Sequence, residues 1–197
     1  MTVFAIVFAV DAGSAGLARP AQAQPPRGSD YKSQLLQVNA LLDGQHSHVT
    51  AKALASIGPL VPAILSREAW SSSATHRSRG ALSLLRHFPD QGAAVLCAIA
   101  RKSADVPSRR IAIRGCAVAD RKVFGSVTKK LLSAPNAYVR EATVHALCKL
   151  CDVPAKAALV EHRRIEKERF VRQLIDRVAP RTGSSAGAWR CRPRQAR

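Results

Sequence analysis

From Tyr31 to Val178, apolar residues return about every three to four positions with hardly a break, the period of helices that pack on one face. The first such stretch, 31–43, sets Leu35, Leu36, Val38, Leu41 and Leu42 largely on one side and closes at Gly44. The pattern predicts an all-α chain, and it also repeats. The segment Leu131 to Leu150, LLSAPNAYVREATVHALCKL, reads as a helix end, a Pro-Asn break and a second helix opened by Val-Arg. Arg77, Arg109, Arg140 and Arg172 stand 32, 31 and 32 residues apart, and Ser47 takes the place one step earlier. Four positions ahead of these markers are Asp43, Ser73, Asp105, Asn136 and Glu168, mainly side chains suited to capping the helix that follows.

This beat predicts five helix pairs, 31–57, 58–88, 90–119, 120–151 and 153–179. A unit of about 31 residues cannot bury its own apolar face, so the units are expected to stack, each sheltering the next. Asp176 stands four positions after its marker, where the earlier units carry Ala81, Ile113 and Val144, and a polar residue there suits the open face of a terminal unit. Val139, Arg140, Ala142, Ala146 and Leu147, with Val171 and Arg172 in part, resemble the second helix of the HEAT and HEAT-like (armadillo-type) repeat family. Around Arg77 and Arg109 the motif is degenerate. The resemblance covers most of 31–179 and implies a right-handed α-solenoid of about five stacked helix pairs, used for protein or nucleic-acid binding and usually without an active site.

Outside the periodic region the composition changes. Residues 1–23 carry an apolar run from Val3 to Val10 and the small-residue pattern Ala21-Gln22-Ala23, which predicts a signal peptide cut after Ala23 and hence a periplasmic or secreted protein. No basic residue precedes the run and Asp11 ends it early, so an apolar leader on a cytoplasmic protein is the alternative. Residues 24–30 read as a linker and 180–197 as a basic, disordered tail with five arginines and no acid. No other stretch approaches the ~20 apolar residues of a membrane span.

A formal charge of +18, from 31 Lys and Arg against 13 Asp and Glu, attracts polyanions without choosing among nucleic acid, anionic lipid and acidic protein. Basic doublets recur near expected helix ends: Arg101-Lys102, Arg109-Arg110, Arg121-Lys122, Lys129-Lys130 and Arg163-Arg164. On one face they would form a stripe able to follow a phosphate backbone; singly, each is a solvated edge. The marker arginines are expected to bond carbonyls or acids of a neighbouring unit, with a phosphate ladder as the alternative. Base stacking needs exposed aromatics, and Phe124, Tyr138 and Phe170 sit at positions that read as core, leaving Trp70.

The five cysteines are Cys97, Cys116, Cys148, Cys151 and Cys191, so at least one cannot pair within a monomer. Cys97 with Cys116 is one expected disulfide and Cys116 with Cys148 the competing one. His145, Cys148 and Cys151 lie three apart and could offer zinc three soft ligands, but cysteine at a core offset usually serves as a small hydrophobe. No dinucleotide, P-loop or H-E-x-x-H pattern occurs, and Asp120 and Glu141 lack partners for acid-base work. The expectation is a non-catalytic scaffold without cofactor or metal that binds a protein partner, with nucleic-acid binding as the alternative.

Overall fold

In the computed structural model the described residues are 29–44, 49–71 and 76–178, and they form ten α-helices and no strand. The helices are α1 (Ser29–Asp43), α2 (Ala51–Ile57), α3 (Val61–Ala69), α4 (His76–Leu85) and α5 (Pro89–Lys102), then α6 (Val106–Ala119), α7 (Arg121–Leu132), α8 (Ala137–Leu150), α9 (Val153–Ile165) and α10 (Arg169–Val178). The signal-peptide pattern, Ser47, Ser73, the basic tail and Cys191 lie outside the described residues. None of the described helices is long and apolar enough to cross a membrane.

The helix starts follow from local chemistry. Asp105, Asp120, Asn136 and Asp152 each accept an amide hydrogen bond from the first turn of the helix they precede, capping α6, α7, α8 and α9. Pro107 and Pro154 sit in the opening turns of α6 and α9, where a missing N–H costs nothing. Two expectations need correction here. The linker gives way to helix at Ser29, so α1 begins before Tyr31. Asp43 caps nothing: it is the last residue of α1, and Thr50 caps α2 by accepting from the Ala53 amide.

The helices pack in two layers. α3 with α4, α5 with α6, α7 with α8 and α9 with α10 pack as hairpins. The even helices α4, α6, α8 and α10 touch in succession, and so do the odd helices α1, α3, α5, α7 and α9. The start departs from this order, because α2 packs only on α1 and α3 while α1 itself lies against α4. At 7 residues, with Leu54 its one buried residue, α2 is too short to take a place in the even layer. Gly58 follows it at φ 144°, and the Gln34 side chain fills the space a Cβ would need while accepting the Leu60 amide at 3.0 Å.

A continuous core runs between the layers, from Val38 and Leu42 through Leu65, Leu96 and Phe124 to Val171 and Ile175. A disulfide joins Cys97 of α5 to Cys116 of α6 inside it, so Cys116 is not available to Cys148 and the competing pairing is not made. Gly92, in the opening turn of α5, lies against the end of α4, and a Cβ there would stand 2.9 Å from the Leu85 carbonyl oxygen. That atom is backbone and cannot swing aside. Gly92→Ala is therefore expected to lower stability by about 1–2 kcal/mol, although alanine is the better helix former; the shift in a denaturant midpoint measures it.

Candidate functional site

Three of the four marker arginines, Arg77, Arg109 and Arg140, turn to the protein's own acceptors. Arg140 of α8 forms a fork with Glu166 through Nε at 2.8 Å and Nη2 at 2.9 Å, and its Nη1 reaches the Ala134 and Pro135 carbonyls at 2.8 and 3.0 Å. Arg109 donates to the Ala100 carbonyl at 2.9 Å. Arg172 is exposed and makes no side-chain hydrogen bond among the described residues. In α4 the corresponding place belongs to Arg79 and not to Arg77. Arg79, Arg109, Arg140 and Arg172 are each preceded by a buried residue (Ser78, Ser108, Val139, Val171) and followed three positions on by another (Leu82, Ala112, Thr143, Ile175). Arg77 instead points back to α1, donating to Asn39 at 2.6 Å and Asp43 at 2.7 Å.

Arg79 and Arg140, with Arg110, make a series of ion pairs along the even layer. Arg79 forks onto Asp105 at 3.3 and 3.0 Å, Arg110 reaches Glu141 at 3.1 Å, and Arg140 holds Glu166. Burial alone would raise the Asp105 carboxyl; hydrogen bonds from Ser108 and Arg79, with the charge of Arg79, outweigh it and hold the group below its ordinary value. Burial likewise opposes ionisation of Glu166, yet Arg140, the Glu168 amide and His162 bring it down to about 2.

The basic doublets do not make one stripe. Arg109, Arg110 and Arg163 are engaged internally, the last with Asp176. Arg101, Lys102, Lys129, Lys130 and Arg164 lie exposed in the last turns of α5, α7 and α9, where cations meet the negative end of the helix dipole. Arg121 and Lys122 are exposed at the other end of α7, Arg121 about 12 Å along the helix axis from Lys129.

A different set of cations converges. The exposed face of α4, α6 and α8 carries a groove of about 410 Å³. Its apolar floor is Leu82, Ile111, Gly115 and Val118. Its walls present Arg86, Arg114 and Lys149, all exposed, together with Ser83 and His87. No carboxylate and no aromatic ring lines it. The positive field extends to the neighbouring His145, whose pKa is lowered by burial and then by Arg114 and Lys149, against an opposing pull from Glu141. No family model, no curated protein and no solved structure matches this chain. The lining combines positive charge with apolar surface, chemistry that would suit an anion carrying apolar surface of its own.

Arg86, Arg114 and Lys149 belong to none of the doublets: they are isolated cations spaced 28 and 35 residues apart, off the repeat beat. The one signal available was a cation among buried neighbours, as Arg114 stands between Ile113 and Gly115. The aromatic expectation also changes. Phe124 is buried, but Tyr138 is 54% and Phe170 39% exposed, with ring centroids 5.7 Å apart and Arg110 lying 5.4 Å from the Tyr138 centroid. His145 pairs with Glu141 at 3.7 Å, and no group of three or more His, Cys, Asp or Glu placed to hold a metal occurs among the described residues. The tail carries a G-x-S-x-G spacing from Gly183 to Gly187, outside the described residues; that motif works on a strand-to-helix turn, and the described residues contain no strand.

Proposed function

We propose that the chain is a HEAT-like scaffold, a right-handed α-solenoid of stacked helix pairs without catalytic activity, that presents its even-helix face to a protein partner. The observation that carries this reading is the groove across α4, α6 and α8, where three exposed cations surround an apolar floor with no carboxylate among the lining residues. The successive packing of even on even and odd on odd helices supports the stacked arrangement, and the 31-to-32-residue beat of Arg109, Arg140 and Arg172 supports equivalent units. Export to the periplasm or beyond is part of the proposal, supported by the Cys97–Cys116 disulfide, a bond that persists in oxidising compartments, and by the cleavage pattern at Ala23.

Affinity purification from the native source, with the full chain beside an Arg86→Glu/Arg114→Glu/Lys149→Glu variant, tests the reading. A polypeptide retained by the first, lost from the second and unaffected by nuclease is the expected result. Retention that nuclease abolishes would replace it with the nucleic-acid reading. That second reading has one observation of its own: Tyr138 and Phe170 form an exposed ring pair beside Arg110 at the opening turns of α8 and α10, the kind of surface on which single-strand bases stack.

A further inference from the structure

The groove on α4, α6 and α8 is more selective than a basic surface. Arg86 stands just beyond the end of α4, Arg114 on the outer face of α6 and Lys149 in the last turn of α8, so three successive helices of one layer each contribute one cation to the same depression. All three side chains are solvent-exposed, and the rest of the lining supplies only hydroxyl, imidazole and apolar surface. Between the cations Leu82 is buried, Ile111 is partly buried and Val118 is half exposed. An apolar floor gains by being covered, at roughly 25 cal/mol per Å² removed from water. An occupant must therefore bring apolar side chains to the floor and negative charge to the rim.

A nucleic-acid backbone brings the charge and nothing for the floor. Its bases would seek aromatic faces, and none lines the groove. An extended polypeptide in which acidic and aliphatic residues alternate brings both, since successive side chains of an extended chain point to opposite sides. Carboxylates also match the guanidinium fork of Arg86 and Arg114. We infer that the α4–α6–α8 groove is the docking site for a short acidic segment of a partner protein, its aliphatic side chains on Ile111 and Val118 and its carboxylates on Arg86, Arg114 and Lys149. This inference rests on the protein-binding reading and names the class of partner that reading requires.

Fluorescence polarisation of the full chain tests it. The probes are a fluorescein-labelled peptide alternating leucine with glutamate, the same peptide with serine for leucine, and a random single-stranded DNA. The leucine-glutamate peptide is expected to bind, to weaken about tenfold against Arg114→Glu or Lys149→Glu, and to weaken when serine replaces leucine. Because Arg114 is exposed on the middle of α6, the thermal melt of Arg114→Glu should match the parent chain, which separates a lost contact from a lost fold. Peptide binding that Arg114→Glu and Lys149→Glu leave intact would overturn the groove assignment while leaving protein binding in place. Preference for the DNA, weakened by the same substitutions, would overturn both readings. Absence of peptide binding at low salt overturns the inference outright.

Discussion

Replacing Glu166 by alanine is expected to cost about 3–5 kcal/mol, the range for removing one member of a buried ion pair. The Glu166 side chain is 1% exposed and sits at the joint between α9 and α10, while its partner Arg140, on α8, is 12% exposed. The carboxylate accepts both arms of the Arg140 fork, the Glu168 amide at 2.8 Å, and lies 2.8 Å from Nε2 of the buried His162. Truncation leaves a guanidinium and an imidazole without their acceptor in a place water does not reach. The loss should appear in a denaturant midpoint.

The same group makes a prediction about acid. Its folded pKa, about 2, lies below the ordinary 4.5, so the stability it contributes is complete above the unfolded value and is lost as the pH falls through the folded one. Between about pH 5 and pH 2 the parent chain should lose on the order of 3 kcal/mol at this site, a component that Glu166→Gln should lack. Equal acid sensitivity in the two chains would show that the joint does not depend on the carboxylate.

Reduction of the Cys97–Cys116 bond is expected to lower stability by about 3 kcal/mol, from the chain entropy released when a loop of this size opens. The two cysteines are 19 residues apart and 2% and 0% exposed, so the bond spans the α5–α6 hairpin from within. Unfolding curves with and without reductant measure the difference. A Cys97→Ala/Cys116→Ala chain should show the lowered stability in both conditions. Should reductant destabilise that double variant as much as the parent chain, the effect would belong to another cysteine.

The ion-pair joint and the disulfide differ in how far the sequence announced them. Cys97 and Cys116 were foreseeable because both fall at core offsets of consecutive helices, and an intervening turn brings such positions together. The sequence could not rank Cys116 with Cys97 above Cys116 with Cys148, since that choice rests on a Cα separation of 4.8 Å that only the packed hairpin provides. Glu166 gave no signal of its own. It stands outside the marker register, and its importance comes from Arg140 of one helix pair meeting His162 of the next. The arginine in α4 was misplaced for a related reason: Arg77 and Arg79 both fall near the beat, and burial of Ser78 and Leu82 selects Arg79.

The all-helical character of the described residues was determined by sequence alone, because helical periodicity is a local property that apolar spacing, capping aspartates and opening prolines express within a few residues of one another. Where charges end up was decided by the tertiary structure. The conspicuous doublets were divided between internal bonds and the ends of odd helices, whereas Arg86, Arg114 and Lys149, far apart in the chain, were gathered over one apolar floor. Neighbours across helices are set by which side chains interlock between layers, and that information is not local in the chain.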